Sequence, residues 1–384
     1  MSRQLDILAL EPYYGGIRRN MLQTLARCSR HRWTLMTLPP RRMERRLATA
    51  AHWFSEQIAR RPVGPVDLLF TSDAMNLPDL HRLCPSVADL PSVVYFHSNQ
   101  LPDAALAIDQ QPQDLTNLST ATAATEVWIN SKYHAAAFMQ GIEELISVHR
   151  ELQSRNPLED LRAKLHLMPP PVDVNYFREL ISQNRSTPAP DTERDSNTIF
   201  VETRDANIEL LNAALAILQD SKHPIELMVT GPVDKLTDAF PKQVIAEADS
   251  TAQVRGLLTA GIFLSTKIAV PFDENAVRAM SLGCRPVLPH TGVYPELLAT
   301  AMYEECLYDM SAESLAAHIH EAMYLPSLHR LEALTSRLQP FDAIKACAAI
   351  DARLDILAAA RVAHSFPSRQ HSLREARKRA IPNA

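Results

Sequence analysis

No CxxC pair and no zinc-ligand spacing occur in this 384-residue sequence. Its five cysteines, Cys28, Cys84, Cys284, Cys306 and Cys347, are scattered and odd in number. That usage argues against a disulfide framework or a structural metal and fits a reducing cytoplasm. The histidines are equally dispersed, and His318 and His320 fall on different helix faces. No apolar run approaches membrane-spanning length, and Asp6 interrupts a first run too short for a signal peptide. There is no GxGxxG fingerprint and no convincing repeat. Positive charge is not in excess: a net charge of −5 excludes a generally basic nucleic-acid coat but not local patches. Hydrophobic and charged fractions of 46% and 22% are those of an ordinary globular chain, and the length suggests two domains.

What is present begins with a loop. Leu5–Leu10 reads as a buried strand, Glu11-Pro12-Tyr13-Tyr14-Gly15-Gly16 follows, and Ile17–Ala26 has helical spacing. A strand, paired glycines and a helix N-terminus together let backbone N–H groups face an anion. Arg18 and Arg19 in the first helical turn oppose the helix dipole unless something negative binds there. For a lone Gly-Gly, a plain connecting turn with two solvated arginines is the favoured reading.

Near-continuous apolar strands alternate with helical patterns. Strands are expected at Leu5–Leu10, Trp33–Leu38, Asp67–Ser72, Ser92–His97, Glu126–Ser131 and Lys164–Met168, then at Thr198–Glu202, Ile225–Thr230, Gln243–Ala246, Ile262–Ser265 and Arg285–Leu288. Residues 182–197 are polar, contain Pro188 and Pro190, and read as a linker. The expected architecture is α/β: two Rossmann-like doubly wound domains facing across a cleft, the GT-B arrangement. Its divisions are an acceptor-side domain (1–181), the linker, a donor-side domain (198–340), a packing helix (341–362) able to return to either domain, and a basic tail (363–384) read as a frayed end.

Ligands of open α/β sheets sit beyond the carboxyl ends of the strands, so polar groups there carry weight. His97-Ser98-Asn99-Gln100 follows one strand and suits sugar hydroxyls. Thr71-Ser72-Asp73 and Asn130-Ser131 end two others, and Ser131 is placed to cap the next helix. Arg41, Arg42, Arg45 and Arg46 follow Pro39-Pro40. They read either as a surface for an RNA backbone or as a solvated face balanced by Glu44.

Glu11–Gly16, Thr37-Leu38-Pro39, Ala51–Ser55, Asn76-Leu77, Tyr95–Leu101 and Asn130-Ser131, in that order and spacing, resemble the tRNA-queuosine α-mannosyltransferase family over the first 140 or so residues. Ile262–Thr266, Gly283-Cys284 and Val293–Leu297 extend the likeness more weakly. The resemblance implies a retaining, metal-independent, cofactor-free hexosyltransferase of the cytoplasm. Its implied donor is GDP-mannose and its implied acceptor is queuosine in tRNA-Asp, with no membrane partner. It implies that Gly15, Gly16 and Arg18 lie by the donor phosphates and sugar, that His97 contacts the transferred sugar, that Arg204 clamps phosphate, and that the Arg41–Arg46 segment, Asn99 and Gln100 serve the acceptor side.

The second half departs from that pattern. Two family glutamates with seven residues between them fall at Val270 and Arg278, a loop glycine at Asp273, and the lysine expected after Arg204 is missing, with Asn207 nearby. Asp273 reads as the cap of a helix closed by Gly283, and an ionised Asp273 would repel a diphosphate from that helix start. Glu274 and Asn275 stand in for the missing glutamates only by proximity. A degenerate protein that binds RNA or a partner without transfer, and a transferase with another donor or acceptor, are therefore the competing expectations.

Overall fold

The computed structural model describes residues 3–61, 64–98, 101, 114–149, 152, 157–176, 179, 194–219, 224–247, 249–324 and 331–379. The chain divides into two compact units. The first holds Met1–Ile129, Ala137–Met168 and Ala346–Ala384; the second holds Asn130–Ala136 and Pro169–Lys345.

The first unit is built on a parallel sheet of order β2-β1-β3-β4-β5-β6. Its strands are β1 (Asp6–Glu11), β2 (Arg32–Thr37), β3 (Leu68–Ser72), β4 (Ser92–Phe96), β5 (Glu126–Ile129) and β6 (Leu165–Leu167). The helices that matter below are α1 (Gly16–Cys28), α2 (Met43–Arg60) and α3 (Lys132–Val148). β1 is buried on both faces, as a covered parallel strand must be. Ile7 and Ala9 pack with Met21, Leu22 and Leu25 of α1, while Leu8 shares a cavity wall with Ile58 of α2. The direction of strand order reverses at β1 and β3, which makes their carboxyl ends the crevice of this sheet.

The second unit repeats the plan with order β12-β11-β10-β7-β8-β9, again parallel throughout. The strands are β7 (Asp195–Glu202), β8 (Glu226–Thr230), β9 (Lys242–Ile245), β10 (Ala260–Leu264), β11 (Arg285–Pro289) and β12 (Leu307–Tyr308). Here the reversal falls between β7 and β10. The helix α4 (Glu274–Leu282) starts just beyond β10 and ends at Gly283.

Three boundaries differ from the sequence expectation. β7 begins at Asp195, inside the expected linker, because Asp195–Asn197 extend the ladder beside β10. Expected linker residues 182–193 lie outside the described residues. The first unit gives way to the second at Pro169, and the last helix, α5 (Ala343–Arg379), runs through positions expected to be tail. Residues 346–384 cluster with the first unit, where Cys347, Ile350, Leu354 and Leu357 join the core around Leu5, Ile7 and Trp128. The two-residue β12 was not expected, since a pair of residues carries no periodicity.

Candidate active site

The turn after β1 is shaped by its glycines. Gly16 has φ +51°, a left-handed conformation that side chains resist. Gly15 is extended, but a Cβ there would lie 2.6 Å from the Pro40 ring, so close packing excludes any side chain. The tight turn brings α1 over the end of β1 and carries Arg18 inward. Arg18 is 5% exposed and Arg19 is exposed, so the two expected partners part company.

Arg18 already has an anion. Its Nη1 and Nη2 donate to the two carboxylate oxygens of Asp73 at 2.5 and 2.8 Å. Asp73 follows β3 directly and also accepts the His97 backbone N–H at 3.1 Å. His97 itself is 6% exposed, and its ring packs 4.7 Å from that of Tyr95. Burial opposes the guanidinium charge, but Asp73 outweighs it and holds Arg18 above its ordinary range. Arg18 is therefore not a solvated arginine: its partner is a carboxylate 55 residues away in the chain.

Glu11, the last residue of β1, lies beside this pair and is 2% exposed. Its Oε1 accepts from the Tyr13 N–H at 2.8 Å and from the Ser72 hydroxyl at 3.0 Å, a bond that crosses the β1/β3 reversal. Burial pushes its carboxyl up to about 7, with Asp73 adding to the rise and Arg18 opposing it.

Among the acceptor-side candidates, Asn99 and Gln100 lie outside the described residues. Arg41 and Arg42 precede α2, and Arg45 and Arg46 stand on its first turn. Arg41, Arg42 and Arg45 are exposed with Glu44 among them, whereas Arg46 is half-buried and bonds the Pro39 carbonyl at 3.1 Å. Three cations therefore remain on the surface, and the fourth fixes the turn.

In the second unit the switch point is filled by a network of charges. Lys267, just past β10, donates to Glu202 at the end of β7 at 2.5 Å and stands 3.8 Å from Asp273. Asp273 caps α4, accepting the N–H groups of Asn275 and Ala276 at 3.0 and 3.1 Å, and it also accepts the Tyr294 hydroxyl at 2.9 Å. Asn275 donates to Glu202 at 3.0 Å, and Glu274 pairs with Arg278 at 2.5 Å. Burial raises the Glu202 carboxyl, aided by Asp273 and opposed by Lys267.

Glu274 and Asn275 are thus engaged within this network. Arg204 is more exposed and is held in a two-point pair by Glu247 at 2.7 and 2.6 Å. Sequence reasoning missed Lys267, because it sought a cation after β7 and the residue comes from β10, some 60 positions later. It also left Glu11 unassigned, although Glu11 closes the first apolar run and precedes the turn.

Residues 6–172 match the family described as tRNA-queuosine alpha-mannosyltransferase N-terminal. The chain is 23% identical over 340 residues to a Drosophila melanogaster protein of the name tRNA-queuosine alpha-mannosyltransferase, covering 84% of this chain and 88% of the other. It is similar in structure to a sucrose-phosphate synthase from Thermosynechococcus elongatus (TM-score 0.62, 16% identity, 93% of this chain and 100% of the other). It is also similar to a UDP-forming trehalose-phosphate synthase from Burkholderia xenovorans solved with glucose-6-phosphate (TM-score 0.64, 11% identity, 91% and 99%). At such identities these likenesses speak to fold alone: two Rossmann-like parallel sheets, the GT-B fold.

Proposed function

We propose, from a chain whose residues 6–172 match the tRNA-queuosine alpha-mannosyltransferase N-terminal family, that this protein is a hexosyltransferase acting on tRNA. The donor in this reading is GDP-mannose, and the acceptor is queuosine of tRNA-Asp in the cytoplasm. Mannose passes with retention of configuration, and neither metal nor cofactor takes part. One observation carries the reading. Glu11, Arg18, Asp73 and His97 all fall within the matched segment and meet, by hydrogen bonds or close approach, where β1 and β3 end.

In this reading His97 faces the transferred sugar and the Gly15–Gly16 turn admits it. The Arg18–Asp73 pair fixes the geometry of His97 through its backbone N–H. A prearranged polar site of this kind stabilises charge developing at an anomeric carbon without reorganising during the reaction. Arg41, Arg42 and Arg45 bind backbone phosphates of the tRNA. A gel-shift titration tests the acceptor. Replacing the three with alanine is expected to weaken tRNA binding and to flatten its salt dependence by roughly one unit of slope for each phosphate no longer neutralised. Unchanged affinity and slope would remove RNA from that surface.

A second reading is favoured by the second unit. Lys267, Arg204 and Arg278 are each paired with a carboxylate, and Asp273 occupies the first N–H groups of α4. A diphosphate would have to displace these acids, which suits a non-catalytic RNA-binding protein or a different donor. Calorimetry with GDP-mannose separates the two: saturable binding supports transfer, and no binding supports the second reading.

A further inference from the structure

Glu11 stands in a position that capping its own turn does not explain. It ends β1 at the reversal of strand order in the first unit, the place where open α/β sheets receive ligands. Only Oε1 is used by the fold, for the Tyr13 N–H and the Ser72 hydroxyl. Oε2 has no hydrogen-bond partner among the described residues, although the residue is 2% exposed. Oε2 is not among the fully buried side-chain atoms that lack a partner, so it keeps a small opening through which a ligand hydroxyl can reach it.

The surroundings make the group selective. Arg18 from α1 is the nearby cation, but Asp73 after β3 binds both of its terminal nitrogens. Tyr13 contributes its backbone N–H, and Ser72 its hydroxyl. Nothing in this set offers an external phosphate a free cation. What the set accepts is a neutral hydrogen-bond donor, and an alcohol hydroxyl fits where a diphosphate does not.

We infer that Glu11 is a substrate-binding residue whose Oε2 accepts a hydrogen bond from an alcohol hydroxyl of a saccharide or cyclic polyol. The inference rests on the transferase reading above. Two parts of the proposed substrates carry such hydroxyls: the hexose of the sugar nucleotide and the modified base of the acceptor tRNA. The ionised carboxylate makes the stronger, charge-assisted bond. Because burial, with Asp73, places the carboxyl near neutrality against the pull of Arg18, that bond strengthens as pH rises through about 7.

The test compares ligands with and without the hydroxyl-bearing part, each pair on two proteins, so that the ligands' own ionisation cancels between wild type and variant. Dissociation constants are measured for GDP-mannose against GDP, and for queuosine-containing against unmodified tRNA-Asp. They are taken from about pH 5.5 to about pH 8.5 on the full chain and on Glu11→Gln. Glutamine keeps an Oε1 acceptor for Tyr13 and Ser72, so the turn retains its bonds. One pair is expected to be separated by about tenfold more in the wild type than in the variant at high pH. The difference between the two proteins shrinks as pH falls. Which pair responds identifies the source of the hydroxyl.

Pairs distinguished equally by both proteins at every pH overturn the inference and leave the transferase reading standing. A wild type that distinguishes neither pair overturns both. Should Glu11→Gln fail to fold, Glu11→Asp takes its place: its shorter carboxylate is expected to reduce the separation of the responding pair, and an unchanged separation overturns the inference.

Discussion

At the scale of single residues, Glu11 also makes a statement about stability. Its carboxyl is raised from an ordinary 4.5 to about 7 in the folded protein, chiefly by burial. Within that window the folded chain keeps a proton that the unfolded chain has released. Stability therefore falls as pH rises, by up to roughly 3 kcal/mol between the two values. Urea unfolding should show Glu11→Gln gaining on the wild type as pH is raised from about 5 to about 8. A gain independent of pH would place the cost elsewhere. Asp273 works the other way: two backbone N–H groups and the Tyr294 hydroxyl depend on it. Asp273→Ala is expected to lose about 2 kcal/mol, visible as a lower melting temperature, and Asp273→Asn less. His97→Ala is expected to lower the melting temperature, because the ring is buried against Tyr95.

At the scale of elements, the Gly15–Gly16 turn offers a clean contrast. Gly16 has open space around its missing Cβ but a positive φ, so Gly16→Ala should cost about 1 kcal/mol through the backbone alone. Gly15→Ala meets Pro40 and must move the turn, and therefore Arg18. Thermal melts together with the near-ultraviolet spectrum should show a larger disturbance for Gly15 than for Gly16. The elements themselves were largely legible in the sequence. Each expected strand is present within a few residues of its predicted ends, because apolar runs bounded by polar turns are local signals. Ser131 adds nothing to that pattern, yet its hydroxyl accepts the His134 N–H at 2.9 Å and caps α3, as its position suggested. The site was less legible. The glycines, His97 and Asp273 announced themselves by place in the chain, but Arg18–Asp73, Lys267–Glu202 and Arg204–Glu247 join residues 43 to 65 positions apart. No local period encodes such pairs; strand order does.

At the scale of the whole molecule, the return of α5 to the first unit is the main long-range feature. Asp351 accepts from the Ser29 hydroxyl and the Arg30 N–H, Arg353 pairs with Glu126 on β5, and Leu354 is fully buried. The sequence showed an amphipathic stretch but not its destination, because the matching surface on β1, α1 and β5 is assembled only by folding. Leu354→Ala should cost 2 to 5 kcal/mol, roughly the range for emptied core positions, and should be felt as weakened cooperativity in the melting of the first unit. The second unit carries the sharper functional question. Its switch point is occupied by its own paired acids and bases, while at that of the first unit Oε2 of Glu11 has no hydrogen-bond partner among the described residues. The family match therefore covers the first unit's site, and the second unit carries a charge network of its own.

The most direct measurement is mass spectrometry of nucleosides digested from queuosine-containing tRNA-Asp after incubation with the protein and GDP-mannose. The account predicts queuosine heavier by one hexose, with the gain abolished in His97→Ala. Unshifted queuosine, alongside a family member that works under the same conditions, would contradict it and leave the self-neutralised network of Glu202, Lys267 and Asp273 as the mark of a protein that does not transfer mannose.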